Sequence, residues 1–468
     1  MKLENKTYDE LSVGDTASLK RIAREDDFLI FANASGNHNP VHIAAYDGDG
    51  DGVDEAIAPS LWVGSLISAV LGNVLPGPGT YYRHQDFDFV GRAEAGDELE
   101  ITVTVTEKMG DSCVRLTTGV TRVKDGKAIV TGEAVVQAPD KKLVFNALEV
   151  PGLVVQSHRH FDKMLERVAS LPALVTAVVA PEEPNSLGGA LLAGERHVIT
   201  PILVGDAAKI RAAAETLGRS LDGVEIIDEP DHHKAANIAV DLVADGRAGA
   251  LMKGHLHTDD LLHAALRKER GLRTGRRFTH VFVMDVPGLS HPVLVSDAAV
   301  NIQPDLKTKM DIVQNAIDVA ISIGIEEPKV GVLSAVETVN PDMPSSIDAA
   351  LLSKMAERGQ ITGGLVDGPL AMDNAMDLSA ARTKGIHSAV AGFAEVLIVP
   401  NIDAGNMLAK QLSVISHAEA AGLVLGASVP IILTSRADND MARLASCAVA
   451  ALHYARTAQP SLLKKAAE

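Results

Sequence analysis

Cysteine is nearly absent: Cys113 and Cys447 are the two in 468 residues. They form neither a disulfide framework nor a zinc-ligand spacing, and they fit a reducing compartment. Aromatic residues make up only 3% of the chain, with Trp62 the single tryptophan. Its cores must therefore be built from Ala, Val, Leu and Ile, as in α/β packing, where parallel strands read as unbroken aliphatic runs. Positive charge is also scarce. The 43 Lys and Arg face 61 Asp and Glu, a formal net charge of −18. That balance argues against a general nucleic-acid surface but not against a local cationic pocket for an anion. No apolar run reaches the ~20 residues that span a bilayer. Met1-Lys-Leu-Glu-Asn-Lys6 lacks the apolar centre of a secretory signal. A cytoplasmic protein with no nucleic-acid or membrane partner is expected. The chain has no Gly-x-Gly-x-x-Gly and no Walker Gly-Lys-Ser/Thr, which counts against dinucleotide hydride transfer and NTP hydrolysis.

Cores rarely grow past ~250–300 residues, so a chain of this length should hold two or three domains. Residues 1–148 and 155–468 differ in texture, and a boundary is expected between them. In the first part Glu98–Thr106 alternates strictly, as do parts of Arg115–Val123 and Ala128–Val136. These read as three successive antiparallel strands, the last two joined by a Lys124-Asp-Gly-Lys127 turn. Ser60–Val74 reads as an apolar helix ended by Leu75-Pro-Gly-Pro-Gly-Thr80. One long helix with a curled antiparallel sheet makes an α+β domain. In the second part, aliphatic runs at Ile199–Val204, Ala248–Leu251, Val281–Met284, Val330–Leu333, Ile361–Val366, Val396–Val399 and Ile431–Leu433 alternate with amphipathic helices. One helix follows Pro304, with Leu306, Met310, Val313, Ile317 and Ile321 on one face and Gly324 past its end. The pattern predicts a βαβ series, hence a mostly parallel sheet with helices on both faces.

The segment Val429-Pro-Ile-Ile-Leu-Thr-Ser-Arg-Ala-Asp438 carries the sharpest chemical signal. It puts the Ser435 hydroxyl, the Arg436 guanidinium and the Asp438 carboxylate where a strand hands over to a helix. Open α/β sheets bind ligands at the carboxyl ends of their strands. Free amides at a helix start favour anions there, and an Arg fork matches phosphate or carboxylate. A plain helix cap beside a surface ion pair would use the same residue types. Three more strand ends have similar character. Met252-Lys-Gly-His-Leu-His-Thr258 offers Lys253 and Thr258, and Asp367-Gly-Pro-Leu-Ala-Met-Asp373 offers Asp367. In Pro400-Asn-Ile-Asp-Ala-Gly-Asn-Met407, Gly405 and the side chains of Asn401 and Asn406 would let backbone approach a ligand closely. Turn chemistry explains any one such loop. Four in one sheet point to an anionic ligand.

Together with Asn301-Ile-Gln-Pro304, and in this order, these pieces resemble the phosphate acetyltransferase and phosphate butyryltransferase family. The Asp-Gly-Pro-Leu and Ser-Arg-Ala-Asp forms look closer to its butyryl branch. The resemblance implies two α/β lobes, isocitrate-dehydrogenase-like, around a cleft where CoA and acyl phosphate meet. It implies reversible transfer of a short acyl group, acetyl to butyryl, between CoA and inorganic phosphate, with no metal and no bound cofactor. Ser435 and Arg436 then sit at the centre, with Arg436 on phosphate or the acyl oxygen. The general base falls on Asp438 or Asp440, and Asn401 and Asn406 bind substrate. Lys253, Thr258, Asp367 and Gly405 complete the expected substrate-binding set.

The second constellation is Phe31-Ala-Asn-Ala-Ser-Gly-Asn-His-Asn-Pro-Val-His42. Pro40 fixes a turn after a short helix and would aim His42 into a cavity, where an imidazole suits acid/base work. A lone His also serves structural ends. The stretch resembles MaoC-type (R)-specific enoyl-CoA hydratases of hot-dog fold, whose signature is Ser-Gly-Asp-x-Asn-Pro-x-His. Ser60-Leu-Trp62 and Leu75–Thr80 match that family too. Its catalytic His falls at His42, but its catalytic Asp falls at Asn37. Hydration needs one group to take a proton and another to give one, and Asn can orient water but not act as the base. Weak or lost hydration is the expectation. The alternatives are a truly bifunctional enzyme, or a hot-dog domain that only binds acyl-CoA or drives assembly. Hot-dog sheets pair edge to edge and cover their exposed edges, and the transferase lobes of the family dimerise, so a homo-oligomer is expected. Asp47, Asp49, Asp51 and Gly52 match half a calcium loop, but the twelfth position is Ala58 rather than a bidentate Glu. A solvated acidic loop is the better reading.

Overall fold

The computed structural model describes residues 2–42, 56–146, 159–434 and 438–458. The chain divides into two compact units, Met1–Val155 and Gln156–Glu468. The expected boundary, 148–155, lies outside the described residues, as does the acidic loop 47–54.

The first unit runs β1 (Lys2–Glu4), β2 (Thr16–Ile22), α1 (Glu25–Ser35), α2 (Ser60–Asn73), β3 (Tyr81–Gln85), β4 (Asp88–Phe89), β5 (Glu98–Gly110), β6 (Cys113–Arg122), β7 (Lys127–Gln137) and β8 (Val144–Asn146). Its main sheet has the order β2-β5-β6-β7-β3, with β4 also on β7 and every pair antiparallel. Strict alternation sends Leu99, Ile101, Val103 and Val105 of β5 inward. They meet Trp62, Val63, Leu66, Ile67, Val70 and Leu71 of α2. Each such burial contributes about 1.5–3 kcal/mol. One apolar helix held against a single antiparallel sheet is the hot-dog arrangement. Phe28 of α1 stands edge-on to Trp62, with ring centroids 5.1 Å apart. This seats α1 on α2. Gly36 ends α1 at φ +74°, its N–H bonded to the Ala32 carbonyl, and turns the chain into Asn37.

The second unit alternates strands and helices: α3 (Arg159–Ala169), β9 (Leu174–Val179), α4 (Pro184–Glu195), β10 (Ile199–Gly205), α5 (Ala207–Leu217), β11 (Glu225–Asp228), α6 (His232–Ala244), β12 (Ala250–Lys253), α7 (Thr258–Leu266), β13 (Thr279–Asp285) and β14 (Val293–Ser296). It continues with α8 (Leu306–Ser322), β15 (Lys329–Leu333), α9 (Pro344–Glu357), β16 (Leu365–Leu370), α10 (Met372–Met376), α11 (Leu378–Thr383), β17 (Val396–Ile398), α12 (Ile402–Val414), β18 (Glu419–Leu425), β19 (Ile431–Ile432) and α13 (Asp440–Ala458). The strands form one sheet of eleven, ordered β11-β10-β9-β12-β19-β18-β13-β14-β17-β15-β16. Alternate residues feed two cores: Leu174 and Val178 of β9 join one, Ala177 and Val179 the other.

The βαβ reading needs one correction. β18 runs antiparallel to both β19 and β13, and β13 is antiparallel to β14. Two parallel blocks, β11-β10-β9-β12-β19 and β14-β17-β15-β16, therefore point in opposite directions. Their carboxyl ends lie on opposite edges of the shared sheet. A second correction concerns Asp367-Gly-Pro-Leu370, expected as a loop after a strand at Ile361–Val366. The strand is β16 itself, four residues later. Gly363 takes φ +87° and keeps the chain turning until Leu365. Pro369 is tolerated because β16 is the outermost strand, where a missing N–H breaks no ladder.

Candidate active sites

β9, β12 and β19 are neighbours and parallel, with Lys253 opposite Val179 and Met252 opposite Ile432. Continuing that register sets Lys253 beside Leu433 and Gly254 beside Thr434. The β9–α4, β12–α7 and β19–α13 loops therefore share one edge. Lys253 closes β12, and Thr258, Asp438 and Asp440 follow strands that end on this edge. Lys253 is buried, and its Nζ donates to the carbonyls of Gly254 at 3.2 Å and Leu256 at 3.4 Å. Thr258 opens α7. His255, between them, has Nδ1 at 3.0 Å from Glu183 Oε2 at the start of α4. Asp438 is half-buried. Asp440 opens α13, with Oδ2 3.8 Å from the Arg219 guanidinium. Ser435 and Arg436 lie outside the described residues, between Thr434 and Asp438.

Sequence reading missed Arg443. Its guanidinium is buried in α13 and donates from Nη1 to Thr434 Oγ1 at 2.6 Å. Burial pushes its pKa down, partly offset by the carboxylates of Asp438 and Asp440. No periodic signal pointed to it: at about 100° per residue Arg443 stands opposite the stripe Met441, Leu444, Ala445, Ala448 and Leu452.

Asp367, Asn401, Gly405 and Asn406 belong to the other block, and strand polarity puts them on the opposite edge. The Gly368 N–H donates to Asp367 Oδ1 at 2.8 Å. Asn401 caps α12, its Oδ1 accepting from the Ala404 N–H at 3.0 Å. Gly405 does not face open space. A Cβ there would stand 2.6 Å from the Asp297 carbonyl and 2.9 Å from Ala298 Cα, so it serves close packing of α12. Asn406 is exposed. Behind Gly405, buried Asp297 organises the Asn301-Ile-Gln-Pro turn. Its carboxylate accepts from the N–H groups of Ala299 and Val300 at 3.0 Å, and from Asn301 Nδ2 at 2.6 Å. Neighbouring His280 is 1% exposed, and burial lowers its pKa to about 4 against the opposing pull of Asp297. It is a neutral core histidine.

The first unit holds a cavity of about 440 Å³ that both Asn37 and His42 line. Phe31, Ile57, Leu61, Phe89 and Ile129 supply apolar wall, and Arg92 also lines it. His42 Nδ1 is 2.7 Å from the Ile57 carbonyl. A carbonyl only accepts, so Nδ1 is the donor, and in the neutral tautomer that this contact selects Nε2 carries the lone pair. Asn37 Oδ1 accepts from the Asn39 N–H at 3.3 Å. The start of α2, Ser60 and Leu61, also borders the cavity, where helix amides have no intrahelical acceptor. Among the described residues no carboxylate lines it. Among the described residues no cluster of His, Cys, Asp or Glu could hold a metal ion, and no helix is long and apolar enough to cross a membrane.

Residues 230–451 match the family model described as phosphate acetyl/butaryl transferase. A relative from Rhizobium meliloti, called phosphate acetyltransferase, is 57% identical over 296 residues, 63% of this chain and 94% of that protein. The crystal structure of a branched-chain phosphotransacylase from Enterococcus faecalis V583 matches at 31% identity and a TM-score of 0.53, over 60% of this chain and 99% of its own. R-hydratase PhaJ1 from Pseudomonas aeruginosa matches at 38% identity and a TM-score of 0.32, over 33% of this chain and 99% of its own. The second unit has the phosphotransacylase fold. The chain belongs to the phosphate acetyl/butyryltransferase family, and a hot-dog unit precedes that part of the chain.

Proposed function

We propose that the second unit moves a short acyl group reversibly between CoA and inorganic phosphate. The observation that supports this reading is the shared edge of β9, β12 and β19, at which Lys253 closes β12 and after which Thr258, Thr434, Asp438 and Asp440 follow in a chain of this family. The reaction needs a phosphate oxygen to attack the thioester carbon. An O–C bond forms, the C–S bond breaks, and the thiolate leaves and takes up a proton. Negative charge gathers on the former carbonyl oxygen in between, and fixed donors there lower the barrier most. In this reading Arg436 and Ser435 are those donors, and they hold phosphate in line with the carbon. Asp438 or Asp440 moves the thiol proton in the reverse direction. Lys253 and Thr258 line the approach, whereas Asp367, Asn401 and Asn406 reach substrate only from the other block. The substrates are acyl-CoA and phosphate or acyl phosphate, with no metal and no resident cofactor. A cytoplasmic homo-oligomer fits this chemistry.

The first unit, in this reading, holds an acyl-CoA thioester, with its acyl end in the His42 cavity and the α2 amides near the thioester oxygen. A cavity with one imidazole base and no described carboxylate favours holding over turnover. Product identity tests the transferase. Acetyl-, propionyl- and butyryl-CoA incubated with phosphate should, for at least one of the three, give an acyl phosphate with its own phosphorus NMR resonance. Free carboxylate with no such resonance would instead mean hydrolysis.

A further inference from the structure

Arg443 is a buried charge that the transfer chemistry has not yet used. It sits on α13 at 3% exposure, among Leu444, Ala445, Cys447 and Ala448. Removing a guanidinium from water is unfavourable unless the charge is paired and hydrogen-bonded, and an apolar residue of similar shape often serves stability as well or better. Two features of the surrounding structure accommodate it. Its Nη1 bonds Thr434 Oγ1 at 2.6 Å, and Thr434 is the buried residue just past β19. The facing helix α4 carries Gly188 and Gly189 where α13 crosses it. A Cβ on Gly189 would stand 2.6 Å from Arg443 Cβ and collide with its Cδ, and one on Gly188 would stand 2.9 Å from Asp440 Oδ1. α4 is thus notched for this arginine and for the carboxylate that opens α13.

We propose that Arg443 is a positioning residue of the transferase. It ties the end of β19 to α13 at Thr434, the residue before Ser435, and fixes a positive charge beside Asp438 and Asp440. This rests on the reading of the second unit as a phosphate acyltransferase. Arg443 touches no reacting atom in this account. It acts through Thr434, which it holds just past β19 and next in sequence to Ser435.

The test compares full-length Arg443→Met, Arg443→Lys and Thr434→Val with the unmodified protein and with Arg436→Ala as a control. Arg443→Met removes the charge while nearly keeping the volume, so a purely structural arginine predicts normal melting and normal turnover. The proposal predicts near-normal melting but a loss in kcat of about 10²-fold, the scale at which small misplacements act, with the KM for acyl-CoA within about twofold. Arg443→Lys should recover part of that loss. Thr434→Val should lower kcat in the same way, and the double variant should be no worse than Arg443→Met alone, because the two changes cut one link. Wild-type kcat in Arg443→Met, with Arg436→Ala inactive, overturns the proposal. If Arg443→Met does not fold, Thr434→Val decides: an unchanged kcat overturns it. If Arg436→Ala is also fully active, the reading of the centre has failed, and the positioning role falls with it.

Discussion

Arg436→Ala should cut phosphate-dependent CoA release by about 10²–10³-fold, the range seen when a single fixed donor to a developing oxyanion is removed. The loss should appear in kcat and in kcat/KM alike, since the interaction strengthens as charge builds in the transition state. Position supports this expectation. β19 ends at Ile432 at the carboxyl edge of a parallel block, Thr434 is buried and anchored by Arg443, and Arg436 follows two residues later in the sequence. That edge also carries Lys253, but its Nζ is engaged by the Gly254 and Leu256 carbonyls. Arg436→Lys should recover little. It keeps the charge and loses the planar fork that grips two oxygens at once. Turnover within about threefold of the unmodified protein in Arg436→Ala, far short of that range, would remove this residue from the centre.

The second large effect concerns the first unit. Asn37→Asp should raise crotonyl-CoA hydration by about 10²-fold or more, because placing a proton-transfer group at the reacting carbon is worth about 10²–10⁴-fold. The exchange is nearly isosteric. The Asn39 N–H that Asn37 Oδ1 accepts at 3.3 Å would find a carboxylate oxygen in the same place. His42 already has its tautomer set by Ile57, leaving Nε2 as an acceptor. The cavity then gains the second titrating group that the described residues do not supply. Rapid hydration by the unmodified protein would refute this account of the cavity. So would an Asn37→Asp protein that folds, binds crotonyl-CoA and shows no gain.

How far the sequence could be read depended on how local each signal was. β5, β6 and β7 were legible because one face of an antiparallel sheet is buried and the alternation is strict. α8 was legible from its stripe and from Gly324 after it. Strand direction was not legible. β18 and β13 have the same aliphatic texture as their parallel neighbours, yet they run antiparallel and reverse the second block. Four loops that looked alike in sequence were thereby split between two edges. Asp367 was misplaced because the apolar Ile361 suggested a strand, whereas Gly363 holds a turn. Gly405 looked like room for a ligand and proved to be room for the Asp297 backbone. That contact joins residues more than a hundred positions apart, and no local pattern encodes it. Arg443 was passed over because it stands opposite the apolar stripe, on the face that a periodic reading leaves to solvent, whereas α13 is buried on nearly every side. In the first unit the reading carried further, since Gly36, Asn37, Pro40 and His42 fall in one short stretch of chain, and Asn37 and His42 line one cavity.

The most direct test of the central claim is release of free CoA thiol from acetyl-, propionyl- and butyryl-CoA, run on the full-length protein with and without inorganic phosphate. The account predicts release that requires phosphate for at least one of the three chains and negligible release without it. Thiol release at the same rate in both arms, or none with any chain from protein shown to be folded, would contradict it.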